Sequence, residues 1–348
     1  MAYSSITKPT DYFNTVTYSG NGSNNHTITG VGFNADFVWI KARDGSDDHR
    51  LFNQVAGINK YLETNNTNTE VTDAILTTNS DGYVLTNAGE VNSGTNTFVG
   101  WNWLAGGGTT TTPSGGTITT TASVNTTAGF SVFTYTGNGS AAHLAHGLGV
   151  APTVVIIKGR SNTDHWFVKH PSIAANEYIY LNGTGATTSG VNAWSATNPD
   201  ATKIYVGTDA GVNGSGVTYV CYAFAEKKGY SKFSSYKGNG NANGTFVYTG
   251  FKPAWIMIKR SSHSGTSWEI RDNKRQPFPD GNAKRLFADD ASAESSNNEA
   301  IEKLSNGFKI RSTGGGHNTS GNTYIYMAFA ENPFVANDSG TAVPVVAR

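Results

Sequence analysis

Large apolar side chains recur at every second position in three seven-residue stretches: Val99, Trp101 and Trp103; Val220, Tyr222 and Phe224; Ile325, Met327 and Phe329. A period of two is that of a β-strand with one face buried. The opposite face of these stretches carries smaller or more polar residues such as Asn102, Ala223 and Ala328, and reads as tolerant. A second set of runs has no polar alternation: Phe37-Val38-Trp39-Ile40-Lys41, Val154-Val155-Ile156-Ile157-Lys158 and Trp255-Ile256-Met257-Ile258-Lys259. Such β-branched and aromatic runs predict strands buried on both faces, or at the core of a sandwich. The one helix-like patch, 291–304, holds Glu294, Glu299, Ala300 and Leu304 but is broken by Ser295-Ser296-Asn297-Asn298, which predicts one turn at most.

These runs belong to a repeat. Gly-Asn-Gly occurs at 20–22, 137–139 and 238–240, each time after a Tyr-X pair (Tyr18-Ser19, Tyr135-Thr136, Tyr236-Lys237). The unalternated run follows, then an arginine (Arg43, Arg160, Arg260), and each unit closes on its alternating strand. Matched landmarks in one order, repeated along a chain, mark a repeat architecture. Gly-Asn-Gly between β-rich segments is a tight-turn signal. Further hairpin signals, Asn79-Ser80-Asp81-Gly82-Tyr83 and Leu304-Ser305-Asn306-Gly307-Phe308, match between the first and third units; Asn198-Pro199-Asp200 replaces them in the second.

The boundaries follow: an arm at 1–13, a first unit at 14–104, a Gly/Thr linker at 105–116, a second unit at 117–227, a third at 228–334 and a tail at 335–348. The Ala-Gly-Gly-Gly and Thr run of 105–113 predicts a flexible or extended connection. Residues 117–122 read as the opening strand of the second unit, and Lys227-Lys228-Gly229 as a tight joint to the third. The fold class is all-β: three tandem antiparallel β-sandwich (jelly-roll-like) repeats. The arm has no periodicity, yet Tyr3, Ile6, Tyr12 and Phe13 are costly to leave in water. It is expected to order against a neighbouring subunit or a larger particle.

Charge is sparse, with 14% Asp, Glu, Lys and Arg in 348 residues and a formal net charge of zero. No basic stripe suits nucleic acid, no apolar run spans a membrane, and the first residues do not lead into a signal peptide. The single cysteine, Cys221, lies in an apolar strand and reads as a small buried hydrophobe. It excludes an intrachain disulfide and a cysteine-based zinc site. Synthesis in a cytoplasm is expected, yet a surface rich in Asn, Thr, Ser and Gly suits an extracellular β-protein. Together these suggest a virion component released by lysis.

Chemistry is thinly represented. His143 and His146 sit on a predicted turn without an acidic third ligand. Glu269 and Asp272 are three apart in a strand, on opposite faces, where a glycosidase needs both carboxylates in one cleft. No Gly-X-Ser-X-Gly elbow and no phosphate loop is present. No catalytic, cofactor or metal residue is therefore assigned. Lys41, Lys158 and Lys259 recur at one position and read as scaffold, each ammonium snorkelling to water. Trp166 and Trp268, which recur in two units, read as core. Trp194 has no counterpart and lies among Ser, Asn and Thr. It is the one ligand-binding candidate, as a platform for a sugar ring, with capping of the core as the competing reading.

Several segments carry a more specific likeness: Gly129-Phe130-Ser131-Val132 with Tyr135-Thr136-Gly137-Asn138-Gly139, His146-Gly147-Leu148-Gly149 before Pro152, Gly250-Phe251-Lys252-Pro253, Tyr222-Ala223-Phe224-Ala225-Glu226, the first unit's Gly32–Lys41 stretch, and Tyr61-Leu62-Glu63-Thr64-Asn65. Nearly the whole chain resembles repeats in virion surface and tail-fibre-type structural proteins of marine tailed bacteriophages, cyanophages among them. The resemblance implies a non-enzymatic virion structural protein at the particle surface: a tail or head fibre contacting host-surface glycans. The alternatives are a capsid decoration or cement protein without receptor role, and a polysaccharide-degrading tailspike. Expected partners are other virion proteins and further copies of the chain, a trimer being the first guess, with no nucleic acid and no membrane insertion.

Overall fold

The computed structural model describes residues 4–275, 283–297, 300–333, 335–338 and 341–344. One strand order occurs three times. Each copy begins with an opening strand (Phe13–Ser19, Phe130–Thr136, Ser231–Lys237) paired to a closing strand (Thr97–Trp103, Thr218–Phe224, Thr323–Pro333). The closing strand pairs in turn with an inner strand (Phe37–Ala42, Val154–Gly159, Phe251–Arg260). Outward from there lie an outer strand (Arg50–Asn53, Phe167–Lys169, Glu269–Asp272) and two short strands towards the edge. All pairings are antiparallel, and the registers coincide: Phe37, Val154 and Trp255 face Trp103, Phe224 and Phe329. The middle copy carries one extra edge strand, Thr121–Asn125, beginning later than the predicted 117–122. Each copy adds a small sheet of two or three strands, such as His26–Ile28 with Gly82–Leu85 and Leu76–Asn79.

Both faces of each large sheet are buried. One face meets the copy's own small sheet: Val38, Ile40 and Phe98 pack with Ile28, Tyr83 and Leu85, and the other copies repeat this. The other face joins a single apolar cluster shared by all three, holding Val99, Trp101 and Trp103 with Val220, Tyr222 and Phe224 and with Ile325, Met327 and Phe329. The three copies are therefore packed around a common centre. The inner strands are buried on both faces as their unbroken apolar runs predict. The supposedly tolerant face of the closing strand is a correction: Gly100, Asn102, Cys221 and Ala223 are all inside. Small residues stand there because the facing layer comes close. A Cβ on Gly100 would lie 2.3 Å from the Tyr83 hydroxyl.

Gly-Asn-Gly is not a two-residue hairpin; it carries the chain from the large sheet to the small one. The first glycine permits close approach, since a Cβ at Gly20, Gly137 or Gly238 would lie 1.9–2.4 Å from a carbonyl oxygen. The second glycine is left-handed, with φ of 66°, 71° and 67° at Gly22, Gly139 and Gly240. The asparagine between them is held by a fully buried asparagine: Asn92, Asn213 or Asn318. In the middle copy Asn213 Oδ1 accepts from the Asn138 N–H, while its Nδ2 donates to Asn138 Oδ1, Ser140 O and Gly207 O. The other two copies repeat the pattern. The preceding tyrosine hydroxyls donate to the carbonyls of Val91, Val212 and His317, the residues before those asparagines.

Segments predicted to be loose are anchored. In the 105–116 linker, the N–H groups of Ala105, Gly107 and Gly108 and the Ser123 hydroxyl surround the buried Asp36 carboxylate at 2.7–2.9 Å. Glycine lets successive N–H groups converge on an anion, so the composition that suggested flexibility builds a clamp. The N-terminal segment needs no partner to bury its apolar residues. Ile6 enters the shared cluster, and the Phe13 ring lies 4.8 Å from Trp103 and 5.1 Å from Phe329; Tyr3 lies outside the described residues. In the 335–348 tail, Val335–Asp338 and Thr341–Pro344 pair as a hairpin. The helix-like patch 291–304 forms strands Ser295–Asn297 and Ala300–Leu304, because its apolar Ile301 is buried by pairing, not by a helical stripe.

Candidate functional site

Trp194 lies at the end of the short helix Val191–Trp194, fully buried in the middle copy's own core. It offers no face to a sugar ring, so the sugar-platform reading is corrected to core packing. Its polar neighbours in sequence belong to the surface above the core. Lys41, Lys158 and Lys259 are also fully buried, and the expectation of snorkelling is corrected. Lys158 Nζ donates to the carbonyls of Gly159, Asn162 and Thr67; Lys41 to those of Ala42 and Gly45; Lys259 to Thr266. Each ammonium ties down the loop after the inner strand. Burial lowers the pKa of all three to about 8.

The repeated polar side chains serve the junctions between copies, and they close in a cycle. Trp166 Nε1 donates to Glu63 O, Trp268 Nε1 to Tyr180 O, and His49 Nε2 to Phe287 O, each 2.8–2.9 Å into the preceding copy around the ring. Asn53 Nδ2 donates to the Tyr222 hydroxyl, His170 Nε2 to Tyr326 O, and Trp101 Nε1 to Asp272 Oδ2. Main-chain bonds run from Glu70 N to Arg160 O, from Glu294 N to Arg43 O and from Thr187 N to Ser261 O. Arg160 grips Glu70 with two bonds of 2.6 and 2.8 Å, and Arg43 grips Glu294 likewise. The third position is Ser261, not Arg260 as the sequence alignment has it: Ser261, like Arg43 and Arg160, donates its N–H to the first residue of the closing strand. Two buried histidines are held neutral in these contacts. Burial lowers His49 to about 3 and His170 to about 4.

The residues weighed for catalysis do not converge. Asp272 faces the shared centre and is paired with Arg275 and Trp101. Glu269 faces its own copy's interior, paired with Arg271 and with Arg285 at 3.5 Å. His146 is buried, its Nε2 against Asp200 O, whereas His143 stacks edge-on against Tyr205. Among the described residues no group of three His, Cys, Asp or Glu is placed to hold a metal ion. No helix there is long and apolar enough to cross a membrane.

Sequence reasoning missed one constellation. Ser312 Oγ lies 3.0 Å from His317 Nε2, and His317 Nδ1 lies 3.6 Å from Glu269 Oε2. This is the residue set of an acyl-transfer triad. Ser312 and His317 share the loop between Gly307–Arg311 and Thr323–Pro333, while Glu269 lies on a distant strand, so no local motif announces the set. Ser312, His317 and Glu269 are all buried, and the charge of Glu269 is shared with two guanidiniums. The His317–Glu269 separation is too long for a hydrogen bond, His317 Nδ1 has no hydrogen-bond partner among the described residues, and Ser312, at 7% exposure, presents little surface for a substrate to meet. A cleft of about 240 Å³ lies elsewhere, between the first and third copies, lined by Thr10, Asn14, Asn273, Lys274, Glu331 and Asn332 among others. Phe13 and Ala254 add apolar surface to it, and it is smaller than the usual small-molecule site.

Fold and contacts together define a nearly all-β protein in which one sheet arrangement is repeated around a shared apolar centre and its recurrent polar groups hold loops within the copies and junctions between them. A family described as "Domain of unknown function (DUF7483)" matches residues 8–333, and the chain belongs to that family. The match runs across all three copies. No curated protein and no solved structure matches the chain.

Proposed function

We propose that the chain is a non-enzymatic bacteriophage virion structural protein of three jelly-roll-like sandwiches, displayed at the particle surface as a tail or head fibre component that contacts host-surface glycans. The observation that carries the reading is the use of the repeated polar residues. Lys41, Lys158 and Lys259, the buried asparagines and the junction tryptophans hold backbone or neighbouring copies together. A body clamped at every junction suits a part that bears load and presents loops. Its partners would be other virion proteins and further copies of the chain, with a trimer the first arrangement to test. It would be made in the host cytoplasm and live on the virion.

Gold-labelled antibody against the chain, imaged on intact particles, tests the location. Label on the tail or capsid surface is expected, and particles devoid of label remove the reading. Label spread evenly over the capsid, without loss of adsorption when the protein is absent, favours a decoration protein instead. The tailspike alternative predicts release of sugar from host polysaccharide by the purified protein, lost in Asp272→Asn or Glu269→Gln. Covalent labelling of Ser312 by a fluorophosphonate, abolished by Ser312→Ala, would make the protein an enzyme of a different kind.

A further inference from the structure

Scaffold residues recur three times, so a residue set that breaks the repeat on an exposed face is where a specific partner should be sought. The third copy's small sheet has such a face. Its edge strand, Phe246–Tyr248, turns Val247 inward and leaves Phe246 44% and Tyr248 55% exposed. They are the large aromatic side chains exposed among the described residues, and they point to the same side about 7 Å apart. Across the sheet Gly307 stands opposite Tyr248, where a Cβ would lie 2.1 Å from the Val247 carbonyl oxygen, and Lys309 stands opposite Phe246. Beyond Lys309 lie Glu302 and Arg311, paired at 2.6 Å. The corresponding outward residue is Thr27 in the first copy and His143, covered by Tyr205, in the second. Packing therefore does not demand aromatics here.

We propose that this face is a platform for an acidic polysaccharide, with sugar rings stacked on Phe246 and Tyr248 and a carboxylate of the sugar chain meeting Lys309. Two exposed rings spaced along one strand suit the successive rings of a chain more than a compact molecule. Aromatic faces take the apolar side of a sugar ring, while Arg311 and Glu302 offer donors and acceptors to its hydroxyls. Lys309 adds one positive charge beyond the Arg311–Glu302 pair, on a protein whose formal net charge is zero. That local excess favours a carboxylated chain over a neutral one.

This proposal rests on the surface-adhesion reading, and its test is separate from the imaging of particles. The full chain is run in native gels containing polygalacturonate, dextran or no polymer. Retardation by polygalacturonate alone is expected. It should weaken by about tenfold or more in Phe246→Ala/Tyr248→Ala and less in Lys309→Ala, with thermal melting unchanged in both. No retardation of the native chain, or equal retardation of the double variant, overturns the platform. Equal retardation by dextran overturns its preference for acid. A protein found on the virion that fails in the gel loses only the platform. A protein absent from the virion that is retarded keeps the platform and loses the virion.

Discussion

Trp101, Tyr222 and Met327 occupy one position in the three copies, paired with Trp39, Ile156 and Met257, and each is different. Asn92, Asn213 and Asn318 also occupy one position, and all are the same residue. Both sets are buried to 3% exposure or less. The difference lies in what each position must satisfy. The shared centre asks for volume, and neighbouring side chains can share it out, as tolerant cores do. At this one position a polar tip finds its partner in the preceding copy, Asp272 for Trp101 and Asn53 for Tyr222, whereas Trp103 Nε1 and Trp255 Nε1 of the same cluster find none among the described residues. Met327 has no such tip, and His170 reaches the adjacent Tyr326 carbonyl instead. The asparagine position asks for one acceptor and a planar pair of donors aimed at fixed backbone groups. Among side chains of that length only asparagine supplies both.

The sharpest way to break this comparison is to truncate one member of each set. Tyr222→Ala should cost about 3–5 kcal/mol, as other large core aromatics do. Because Tyr222 belongs to the cluster shared by all copies, the loss should appear as one earlier transition of the whole chain in denaturant, not as a separate melting of the middle copy. Tyr222→Met, which imitates Met327, should recover much of that stability. Asn213→Ala should cost about 2–4 kcal/mol, since it strands the buried Gly207 carbonyl and releases the Asn138 amide and the Ser140 carbonyl at the edge of the turn. No conservative replacement should rescue it, and Asn213→Asp in particular should remain destabilised because it has no donor. Rescue by Asp would remove the distinction between the two positions.

What the sequence disclosed follows the same division. The closing strands and the equivalence of Trp101, Tyr222 and Met327 were legible because volume at alternate positions is written in residue type. The identical asparagines lie just before Ser93, Gly214 and Thr319, in segments that otherwise match poorly, so their role as staples for Gly-Asn-Gly was hidden. Ring closure was hidden too, because it depends on which strand faces which neighbour. The lysines misled for a physical reason: a hydrocarbon stem suits snorkelling or burial alike, and only the loop carbonyls at its end decide. Trp194 misled because its polar neighbours in sequence are not its neighbours in space.

The buried lysines make a comparison of their own with the asparagines, because their cost depends on pH. Burial on folding lowers the Lys158 ammonium from its ordinary 10.5 to about 8. Between those values the unfolded chain binds the proton and the folded chain does not, so stability rises as pH increases through that window. Raising the pH from 7.5 to 9.5 should therefore lift the denaturant midpoint, and Lys158→Met should reduce the rise by about 1–2 kcal/mol. Above pH 10 the trend should reverse, since burial raises tyrosines such as Tyr135 and Tyr236 above their ordinary value. A midpoint that falls steadily from pH 7.5 to 9.5 would contradict the burial of these ammonium groups.

The smallest effects belong to the junction pairs. Arg160 and Glu70 are 15% and 11% exposed and doubly bonded, between the limits of a surface pair and a buried one. Arg160→Ser, which imitates the third junction, should cost about 1–2 kcal/mol. Glu70 keeps Lys60 at 3.5 Å, and the main-chain bond from Glu70 N to Arg160 O survives the change. The reverse graft, Ser261→Arg with Thr187→Glu, should change stability by less than about 0.5 kcal/mol. That junction is already satisfied by other means. The Thr187 amide donates to Ser261 O, the Gly265 amide to Thr184 O and the Ala186 amide to the Ser264 hydroxyl, while Arg260 turns back onto the carbonyls of its own loop. An added pair finds no stranded group to satisfy and must order two long side chains. Urea unfolding of the graft against the parent chain measures the balance. A gain of 2 kcal/mol or more would mean that the ion pairs, not the backbone bonds, set the strength of the ring.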